Sequence, residues 1–339
     1  MPAACRPAPA FMPVSTRRRA VATLLMLPLA RPCLSFAAAE PLRLLVGYAS
    51  GGGADHVART VAESLSNDGA PTIVDNRPGA AGQIALHEAA RAPAARPTLL
   101  FGTVGSVSIG PLLASSLESP ARALHPLAIV ASTPHVLLMA GDGAHWGAGD
   151  ARRALQHWLA EARRHPGTIA YASLGIHSSA HLVGELMCHQ AGVSMTHVPY
   201  PGSARALVDL QGGHVALLVS TLQASLPLMR QGRVRALAVT GRAPSALAPA
   251  VPTFAEAGIS QMLQDAWYGV LAAPSLDTAR RASLSMRLPK VLRDASLRQR
   301  LTQDGADPLG LTGADAVDYL ASQRDVWRRT IAAVADRIS

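Results

Sequence analysis

Two glycine-rich turns near the start of this 339-residue chain place backbone amides where they can hold an anion. The first reads Gly-Tyr-Ala-Ser-Gly-Gly-Gly-Ala-Asp over residues 47–55, and the second reads Asp-Asn-Arg-Pro-Gly-Ala-Ala-Gly over residues 75–82. Each turn follows a short strand pattern and opens a helix pattern, and the first N–H groups of a helix have no partner within the helix. The turns therefore predict a site that binds an acidic group.

No familiar catalytic motif accompanies these turns. The sequence has no Gly-x-Ser-x-Gly elbow, no His-Glu-x-x-His motif and no Gly-x-Gly-x-x-Gly fingerprint, and no Gly-Lys-Ser/Thr follows glycines 51–53. His177, His181 and Glu185 are spaced four residues apart, which could place three metal ligands on one helix face. We expect His177 in the loop before that helix, which breaks the geometry. A binding protein without metal or cofactor is favoured, with an exported metal-dependent hydrolase as the alternative.

The composition is that of a globular protein with two sizeable cores. Of its residues 49% are hydrophobic and only 16% are charged. The 31 basic residues outnumber the 22 acidic ones, but five arginines precede Glu40, where no acidic residue occurs. Without those five, 26 basic residues face 22 acidic ones, a formal charge of +4. That charge argues against a nucleic-acid partner.

Residues 1–39 have the pattern of an export signal. Arginines 17–19 precede an apolar run over residues 20–30, and alanines 37–39 supply small residues for cleavage before Glu40. The run is too short to span a membrane. The arginines resemble a twin-arginine signal, and ordinary secretion stays open as the alternative route. The pattern predicts a periplasmic protein whose signal peptide is cleaved near Ala39.

After the leader, strand patterns alternate with helix patterns, as is typical of parallel, doubly wound α/β units. Predicted strands cover residues 42–48, 72–75, 98–102, 169–172, 195–198, 215–219, 234–239 and 267–271. Predicted helices cover residues 55–65, 83–92, 150–164, 181–191 and 203–211, and a last helix carries Val317, Leu320, Trp327, Ile331 and Val334 on one stripe. Asp55 and Ser203 are predicted helix N-caps, and Thr312 with Asp315 a capping-box variant.

Two long apolar stretches divide the chain into lobes. They cover residues 127–139 and 234–239, and the segment between them has about the size of one domain. We expect residues 40–133 and 240–339 to form the first lobe and residues 134–239 an inserted second lobe. Two chain crossings would form the hinge, and the ligand would lie in the cleft between the lobes.

The ordered motifs of the chain resemble the Bug family, the periplasmic solute receptors of tripartite tricarboxylate transporters. The similar segments are residues 42–48, 51–55, 57–59, 75–82, 100–103, 171–173, 178–182, 197–200, 202–203, 235–240 and 252–253. They extend over essentially the whole mature chain. The resemblance implies a type II periplasmic binding fold that closes on a small carboxylate, as a monomer, and delivers it to membrane permease subunits. Delivery of the signal to a sensor protein is an alternative output.

The resemblance also implies which loops hold the ligand. Residues 48–55 and 103–106 would form one wall, and residues 173–181 and 200–203 the other. The implied ligand-binding residues are Tyr48, Ser50, Gly52, Asp55, Thr103, Ser106, Ser173, His177, Ser178, His181, Tyr200, Gly202, Ser203 and Ser220. A buried carboxylate requires several hydrogen-bond donors, which helix N-termini supply and glycines make accessible. No fixed cation is required.

The chain departs from the family pattern at several positions. Ala49-Ser50 stands where Pro-Pro is usual, His177 where glycine is usual, Ser220 where aspartate is common and Gly110 where asparagine is common. Residues 115–125 lack the usual acidic, tyrosine-bearing pattern. We therefore expect the ligand preference of this chain to differ from that of its relatives.

Some conspicuous residues have a structural interpretation beside the functional one. Asp55 either meets the ligand or caps its helix. Arg59 is favoured as an ion-pair partner and Arg77 as a clamp on its turn, rather than as anchors for a carboxylate. Tyr48 and Tyr200 either gate the cleft or lie half-buried in the core.

Overall fold

A computed structural model describes residues 40–114, 119–141 and 151–338. The predicted signal peptide and its cleavage site, and Asp150 at the start of one predicted helix, lie outside these ranges. Residues 39–339 cluster as one compact unit.

The strands of the described residues form two mixed sheets. Their bounds are β1 Leu42–Val46, β2 Thr72–Asn76, β3 Thr98–Thr103, β4 His125–Thr133, β5 His135–Ala140, β6 Ala170–Ser173, β7 Thr196–Pro199, β8 Leu217–Thr221, β9 Val234–Val239, β10 Ala266–Ala272 and β11 Asp307–Thr312.

Helices cover both faces of the two sheets. Their bounds are α1 Gly53–Asn67, α2 Gln83–Ala90, α3 Gly110–Leu113, α4 Ala151–Arg164, α5 Ser179–Ala191, α6 Ser203–Gln211, α7 Leu222–Arg230, α8 Thr278–Arg293, α9 Ala295–Gln303, α10 Gly313–Ala333 and α11 Ala335–Ile338. Short 3₁₀ segments cover Ala80–Gly82 and Pro120–Ala123, and a π-helical turn covers Val104–Ile109.

The first sheet has the strand order β11-β4-β10-β3-β1-β2. β1 pairs in parallel with β2 and β3, as the alternating pattern predicts. β10 runs antiparallel to both β3 and β4, so its N-terminal end lies beside the carboxyl end of β3. Tyr268 of β10 is thereby paired with Thr103 of β3.

The second sheet has the order β7-β6-β8-β5-β9. β6 pairs in parallel with β7 and β8, while β5 runs antiparallel to β8 and β9. The predicted parallel units are present in both sheets, as β1–β3 and β6–β8, and antiparallel strands accompany them. Antiparallel pairs form beside the crossings between the sheets, β4 with β10 and β5 with β9. The periodicity of the sequence does not reveal these strand directions.

The two chain crossings between the sheets are bonded to each other, although one residue separates β4 from β5 and residues 240–265 separate β9 from β10. Pro134, which has no N–H to donate, separates β4 from β5 and divides the apolar stretch over residues 127–139 into two strands. His135 donates its backbone N–H to Thr240 Oγ1 at 2.8 Å, and Thr240 donates its own N–H to the His135 carbonyl at 2.9 Å. The two crossings therefore meet as a single hydrogen-bonded joint.

Successive side chains of a strand pack into apolar clusters on opposite faces of the sheet, because the side-chain period of a strand is two. In β1, Leu44 and Val46 pack into the cluster beneath α1 and α8, while Leu45 faces the opposite cluster. That opposite cluster also contains Tyr171 of the second sheet and the fully buried Trp327. One apolar layer therefore extends across both sheets.

The last helix also crosses between the sheets. α10 packs on β4 and β11, and it contacts α5 as well. Beyond it, Arg337 of α11 donates its Nε–H to Glu185 at 2.8 Å and a second N–H to the Val193 carbonyl at 3.0 Å. The end of the described chain is thus fixed to the second sheet.

The three cap predictions are wrong in detail. Gly52 is the N-cap of α1, which places Asp55 at the third helical position, and Gly202 is the N-cap of α6, which places Ser203 at the first. Thr312 does precede α10, but its side chain makes no capping bond. A glycine occupies the N-cap position of α1 and of α6, and at α10 the N-cap Thr312 has an extended backbone. Val317, predicted on the buried stripe of α10, is 51% exposed.

Candidate functional site

A small cavity of about 30 Å³ lies where the two sheets face each other. Its wall consists of Tyr48, Gly52, Gly53, Ala54, Thr103, Val104, Leu174, Ser179, Ser203, Thr221, Ala266, Trp267 and Tyr268. Most of these residues belong to the N-terminal ends of α1, α5 and α6, to the carboxyl ends of β3 and β8, and to the start of β10, while Tyr48, Val104 and Leu174 follow β1, β3 and β6. A larger open depression of about 750 Å³ lies beside Asp68 and Lys290. Of these two, the smaller cavity combines strand ends with helix N-termini, which is where α/β proteins bind ligands.

Glycines at the start of α1 permit this helix to approach the second sheet. A Cβ at Gly53 would lie 2.2 Å from Gln223 Oε1 and 3.1 Å from the Ala224 Cβ. A Cβ at Gly52 would lie 3.1 Å from Ser203 Oγ. The backbone N–H of Gly53 donates to that same hydroxyl at 3.3 Å. The closed arrangement of the cleft thus requires residues without side chains at the start of α1.

Asp55 joins the two glycine-rich turns and does not line the cavity. Its carboxylate accepts hydrogen bonds from Arg59 Nε, Gly51 N and Asn76 Nδ2, each at 2.9 Å. Burial alone would raise the pKa of Asp55, but these three donors outweigh burial and hold its pKa below the usual value. Asn76 also donates to the Tyr48 carbonyl at 3.0 Å. Asp55 therefore fixes the loop that carries the amides.

Arg59 and Arg77 form ion pairs within the first sheet's helices and turns. Arg59 pairs with Asp55 one helical turn away, and Arg77 pairs with Asp75 at 3.2 Å and with Glu88 at 3.4 Å. The prediction that neither arginine anchors a carboxylate agrees with this geometry.

The second glycine-rich turn packs behind the first. A Cβ at Gly47 would lie 2.4 Å from the Gly82 Cα, and Gly82 itself has a φ of 90°. Ala80 and Ala81 have φ values of 46° and 52°, in the left-handed region that alanine rarely adopts. This turn therefore supports the cavity wall from behind.

Thr103 is held at the wall by its neighbours. Ser106 accepts the Thr103 N–H at 3.0 Å and returns its own hydroxyl hydrogen to the Thr103 carbonyl at 3.2 Å. The Tyr48 phenol is hydrogen-bonded to Thr103, and burial raises the pKa of Tyr48 to about 12. Ser106 thus positions the loop, while Tyr48 and Thr103 present hydroxyls at the cavity.

A histidine cluster braces the opposite wall. Ser178 caps α5 by accepting the His181 N–H at 3.2 Å, and His181 Nδ1 accepts the His177 N–H at 3.2 Å. The rings of His181 and His197 stack with centroids 3.9 Å apart, and Ser173 Oγ lies 2.6 Å from His197 Nε2. Burial lowers the pKa of His181 to about 3 and that of His197 to about 4. His177 adopts a φ of 61° in the loop before the helix.

The last predicted loop contributes one residue to the cavity. Tyr200 donates its hydroxyl to Asp209 at 2.7 Å, and burial followed by this bond raises its pKa to about 12. Gly202 caps α6 with a φ of 156°, which favours glycine. Only Ser203 of this loop lines the cavity.

The structure brings four of the predicted ligand-binding residues to the cavity wall, namely Tyr48, Gly52, Thr103 and Ser203. The other predicted residues stand outside the wall, some of them as supports of the loops: Ser50, Asp55, Ser106, Ser173, His177, Ser178, His181, Tyr200, Gly202 and Ser220. Ser50 is exposed, whereas Ser220 is fully buried and its hydroxyl has no hydrogen-bond partner.

The named candidates did not include Ser179, although it lies within the predicted loop of residues 173–181, nor Thr221, Trp267 and Tyr268, and all four line the cavity. Trp267 was predicted as the start of a strand, but only the antiparallel direction of β10 brings that start to the cleft. Its indole N–H is buried and has no acceptor among the described residues. Thr221 is the second residue after the predicted strand of residues 215–219, a position that could have marked it as a candidate.

The spacing of His177, His181 and Glu185 does not form a metal site. Glu185 accepts the Tyr171 hydroxyl at 2.5 Å and pairs with Arg337 at 2.8 Å. Within the ranges that the structure describes, no three His, Cys, Asp or Glu side chains are grouped to hold a metal ion.

The fold and the cleft define the class of periplasmic solute-binding proteins. Residues 57–335 match the tripartite tricarboxylate transporter family receptor, and the chain belongs to this family. BugT of Bordetella pertussis is 31% identical over 294 residues, covering 85% of this chain and 87% of BugT.

Two solved structures extend the comparison. A structure of an R. palustris protein with adipate is 30% identical, has a TM-score of 0.78 and covers 87% of this chain and 97% of that one. MatC from Rhodopseudomonas palustris with bound malate is 25% identical, has a TM-score of 0.75 and covers 86% and 98%.

Family membership confirms the predicted Bug-type receptor and its type II periplasmic binding fold. The family consists of periplasmic receptors rather than enzymes, so the hydrolase alternative is not supported. Among the described residues, no helix combines the length and the apolar character needed to cross a bilayer.

Proposed function

We propose that this receptor closes its two sheets around a small organic carboxylate in the cavity and delivers it to the permease subunits of a tripartite transporter. The observation that carries this proposal is the convergence of three helix N-termini and six hydroxyl-bearing residues on one buried, uncharged cavity wall. The hydroxyls are those of Tyr48, Thr103, Ser179, Ser203, Thr221 and Tyr268.

The donor set favours a carboxylate over a phosphate or an ammonium ligand. The cavity wall contains no lysine, arginine, aspartate or glutamate, so charge is met only by backbone amides, hydroxyls and helix dipoles. A carboxylate accepts from such donors with short, charge-assisted hydrogen bonds. An ammonium group would instead require the acceptors that helix N-termini lack.

Part of the wall is apolar and favours a ligand with a hydrocarbon body. Val104, Leu174 and the Trp267 ring line the cavity together with Ala54 and Ala266. The buried indole N–H of Trp267 would gain an acceptor from a ligand oxygen or from an ordered water. A carboxylate with a short carbon chain satisfies both parts of the wall. The R. palustris relatives solved with adipate and with malate hold acids of this kind.

Ligand entry requires the two sheets to separate. A cavity of about 30 Å³ holds little more than water, and the Gly53–Ser203 hydrogen bond closes it. We propose that residues 40–133 and 240–339 move as one lobe against residues 134–239, with the joint at His135 and Thr240 as the hinge. The contacts of Arg337 with the second sheet would then limit the opening.

The remaining parts of the proposal concern the cellular context. Residues 1–39 would direct export and be removed near Ala39, and the mature receptor would act as a monomer. Intact-mass measurement of the periplasmic protein tests the cleavage site, and sedimentation analysis tests the monomer.

A carboxylate panel tests the proposed function. Purified mature protein is unfolded and refolded to remove copurified ligand and is then heated with mono-, di- and tricarboxylic acids, amino acids and aromatic acids. A ligand raises the melting temperature in proportion to the logarithm of its excess over Kd. We expect stabilisation by a subset of the small carboxylic acids. A flat response to every acid, confirmed by calorimetric titration, would contradict the proposal.

A further inference from the structure

His135 occupies the joint between the two sheets and reaches the cleft. It is the first residue of β5, it is fully buried, and its register partner in β8 is the cavity residue Thr221. Its ring packs edge-on against Trp327 with centroids 6.5 Å apart. The two ring nitrogens of His135 have different partners.

The two partners fix the tautomer of the ring. Nδ1 lies 2.6 Å from the backbone carbonyl oxygen of Gln264, which can only accept a hydrogen bond, so Nδ1 carries the proton. Burial lowers the pKa of His135 to about 4, so the ring is neutral at pH 7 and Nε2 carries no proton. Nε2 lies 2.9 Å from Ser179 Oγ. The Ser179 hydroxyl must therefore donate its one hydrogen to His135.

This bond determines what Ser179 offers to the cleft. A serine hydroxyl has one donor hydrogen and two acceptor lone pairs, and His135 takes the hydrogen. Ser179 lines the cavity and is 8% exposed. Toward the cavity its oxygen can only accept. A carboxylate oxygen placed against it would leave two acceptors facing each other, whereas a ligand O–H or N–H would satisfy it.

We propose that His135 is a positioning residue that makes the Ser179 hydroxyl an obligate acceptor, so that the cleft selects acids carrying an O–H or N–H group besides their carboxylate. The inference rests on the proposed carboxylate function and specifies that the site accepts a hydrogen bond from the ligand at Ser179. The amides at the start of α1 and the other hydroxyls remain as donors for the carboxylate itself. Acids without an O–H or N–H group leave the Ser179 oxygen buried and unpaired.

Matched pairs of acids test the selectivity. Calorimetric titration compares lactate with propionate, malate with succinate, and 2-hydroxyglutarate with glutarate. For the pair that binds most tightly, we expect the hydroxylated acid to bind about tenfold more tightly than its partner, since an unpaired buried acceptor carries a penalty of that size. In Ser179→Ala the hydroxylated acid and its partner should bind with about equal affinity. Ser322→Ala, an exposed serine of α10, is the matched control and should retain the wild-type preference.

Variants of His135 separate positioning from simple packing. His135→Phe keeps a buried ring but frees the Ser179 hydrogen, so the deoxy acid should gain affinity relative to the hydroxylated acid. His135→Gln keeps one donor and one acceptor and should restore part of the preference. A purely structural role would weaken both acids of a pair equally and leave their ratio unchanged.

A measurement on the unmodified protein avoids any folding defect. Nitrogen chemical shifts of ¹⁵N-labelled histidines distinguish a ring protonated at Nδ1 from one protonated at Nε2. We expect His135 to be protonated at Nδ1 at pH 7, and assignment follows from loss of its signals in His135→Phe. Protonation at Nε2 would overturn the inference.

The outcomes distinguish the two proposals. Tight binding of acids with equal affinity within every pair overturns the role of His135 and leaves the carboxylate receptor intact. Absence of binding by every acid overturns the proposed function and this inference with it.

Discussion

The hydroxyl of Ser203 accepts a hydrogen bond from the backbone N–H of Gly53 across the cleft, at an N···O distance of 3.3 Å. The two residues are 150 positions apart in the chain and belong to helices on different sheets. Each is the first residue of its helix, so the bond joins two helix N-termini at the cavity. If the lobes separate as proposed, this bond would break, so it would couple closure of the cleft to ligand affinity.

Replacing Gly53 with alanine should hinder closure. The new Cβ would lie 2.2 Å from Oε1 of the buried Gln223 and 3.1 Å from the Ala224 Cβ, which cannot rotate away. We expect Gly53→Ala to weaken carboxylate binding at least tenfold, because overpacking in a close-packed contact typically costs 1 to 3 kcal/mol, about the free energy of such a change. Calorimetric titration measures the loss. The double variant Gly53→Ala with Gln223→Ala should recover affinity, and no recovery would show that closure does not pass through this contact.

Replacing Ser203 or Ser178 with alanine should have different effects. Ser203→Ala removes the bond across the cleft and should reduce affinity by a factor of about 2 to 10 with little change in melting temperature. Ser178→Ala removes the cap of α5, so it should lower the free energy of unfolding by about 1 kcal/mol as well as disturb the adjacent Ser179. Titration and urea unfolding of both variants provide the comparison. Unchanged affinity in both would show that these loops do not hold the ligand.

Acid should destabilise the receptor through its buried histidines. The pKa values of His181 and His197 are lowered to about 3 and about 4, whereas an unfolded histidine titrates near pH 6.5. Below about pH 6.5 the unfolded chain therefore binds protons that the folded chain does not, and stability falls as the pH drops toward 4. Each residue contributes a slope of up to about 1.4 kcal/mol per pH unit.

Urea unfolding between about pH 7 and pH 5 measures this slope. His181→Gln removes one of three such groups, since burial lowers the pKa of His135 to about 4 as well, and should flatten the curve. His165→Gln, at an exposed position just after α4, serves as the matched control. A curve as steep as that of the wild type in His181→Gln would contradict the assignment.

The ion pair at the end of the described chain should stabilise the fold. Glu185 is buried and bonded to both Arg337 and Tyr171. Arg337→Met leaves this carboxylate without its cation, and we expect the free energy of unfolding to fall by about 2 to 4 kcal/mol. The double variant Arg337→Met with Glu185→Gln should lose less, since no charge is then buried alone. Equal losses in the single and double variants would show that the charge pairing is unimportant.

Much of the fold could be predicted from the sequence because its signals are local. Period-two and period-3.6 patterns marked Leu42–Val46, Val234–Val239 and Ser203–Gln211 almost to the residue. The glycine at position 53 could likewise be recognised as part of a turn that opens a helix. The patterns did not reveal strand direction. β5 and β10 therefore enter the sheets antiparallel to β8 and β3 without a signal in the sequence.

The candidate site was predicted only in outline, for a related physical reason. The family resemblance implied the loops that contain Gly52, Thr103 and Ser203, and amide donors at such helix starts also follow from the local chain. Asp55 and His181 belonged to the same implied set, and the structure places both in bonds that support loops.

The sequence by itself determined the family, the two sets of α/β units and the turns that supply donors, since all of these are encoded in short segments. Only the tertiary structure decided which side chains face the cavity. Trp267 reaches it because β10 runs antiparallel to β3, and Ser179 becomes an acceptor because His135, 44 positions away, takes its hydrogen. The direction of a hydrogen bond depends on every partner of both groups, and those partners meet only when the chain has folded.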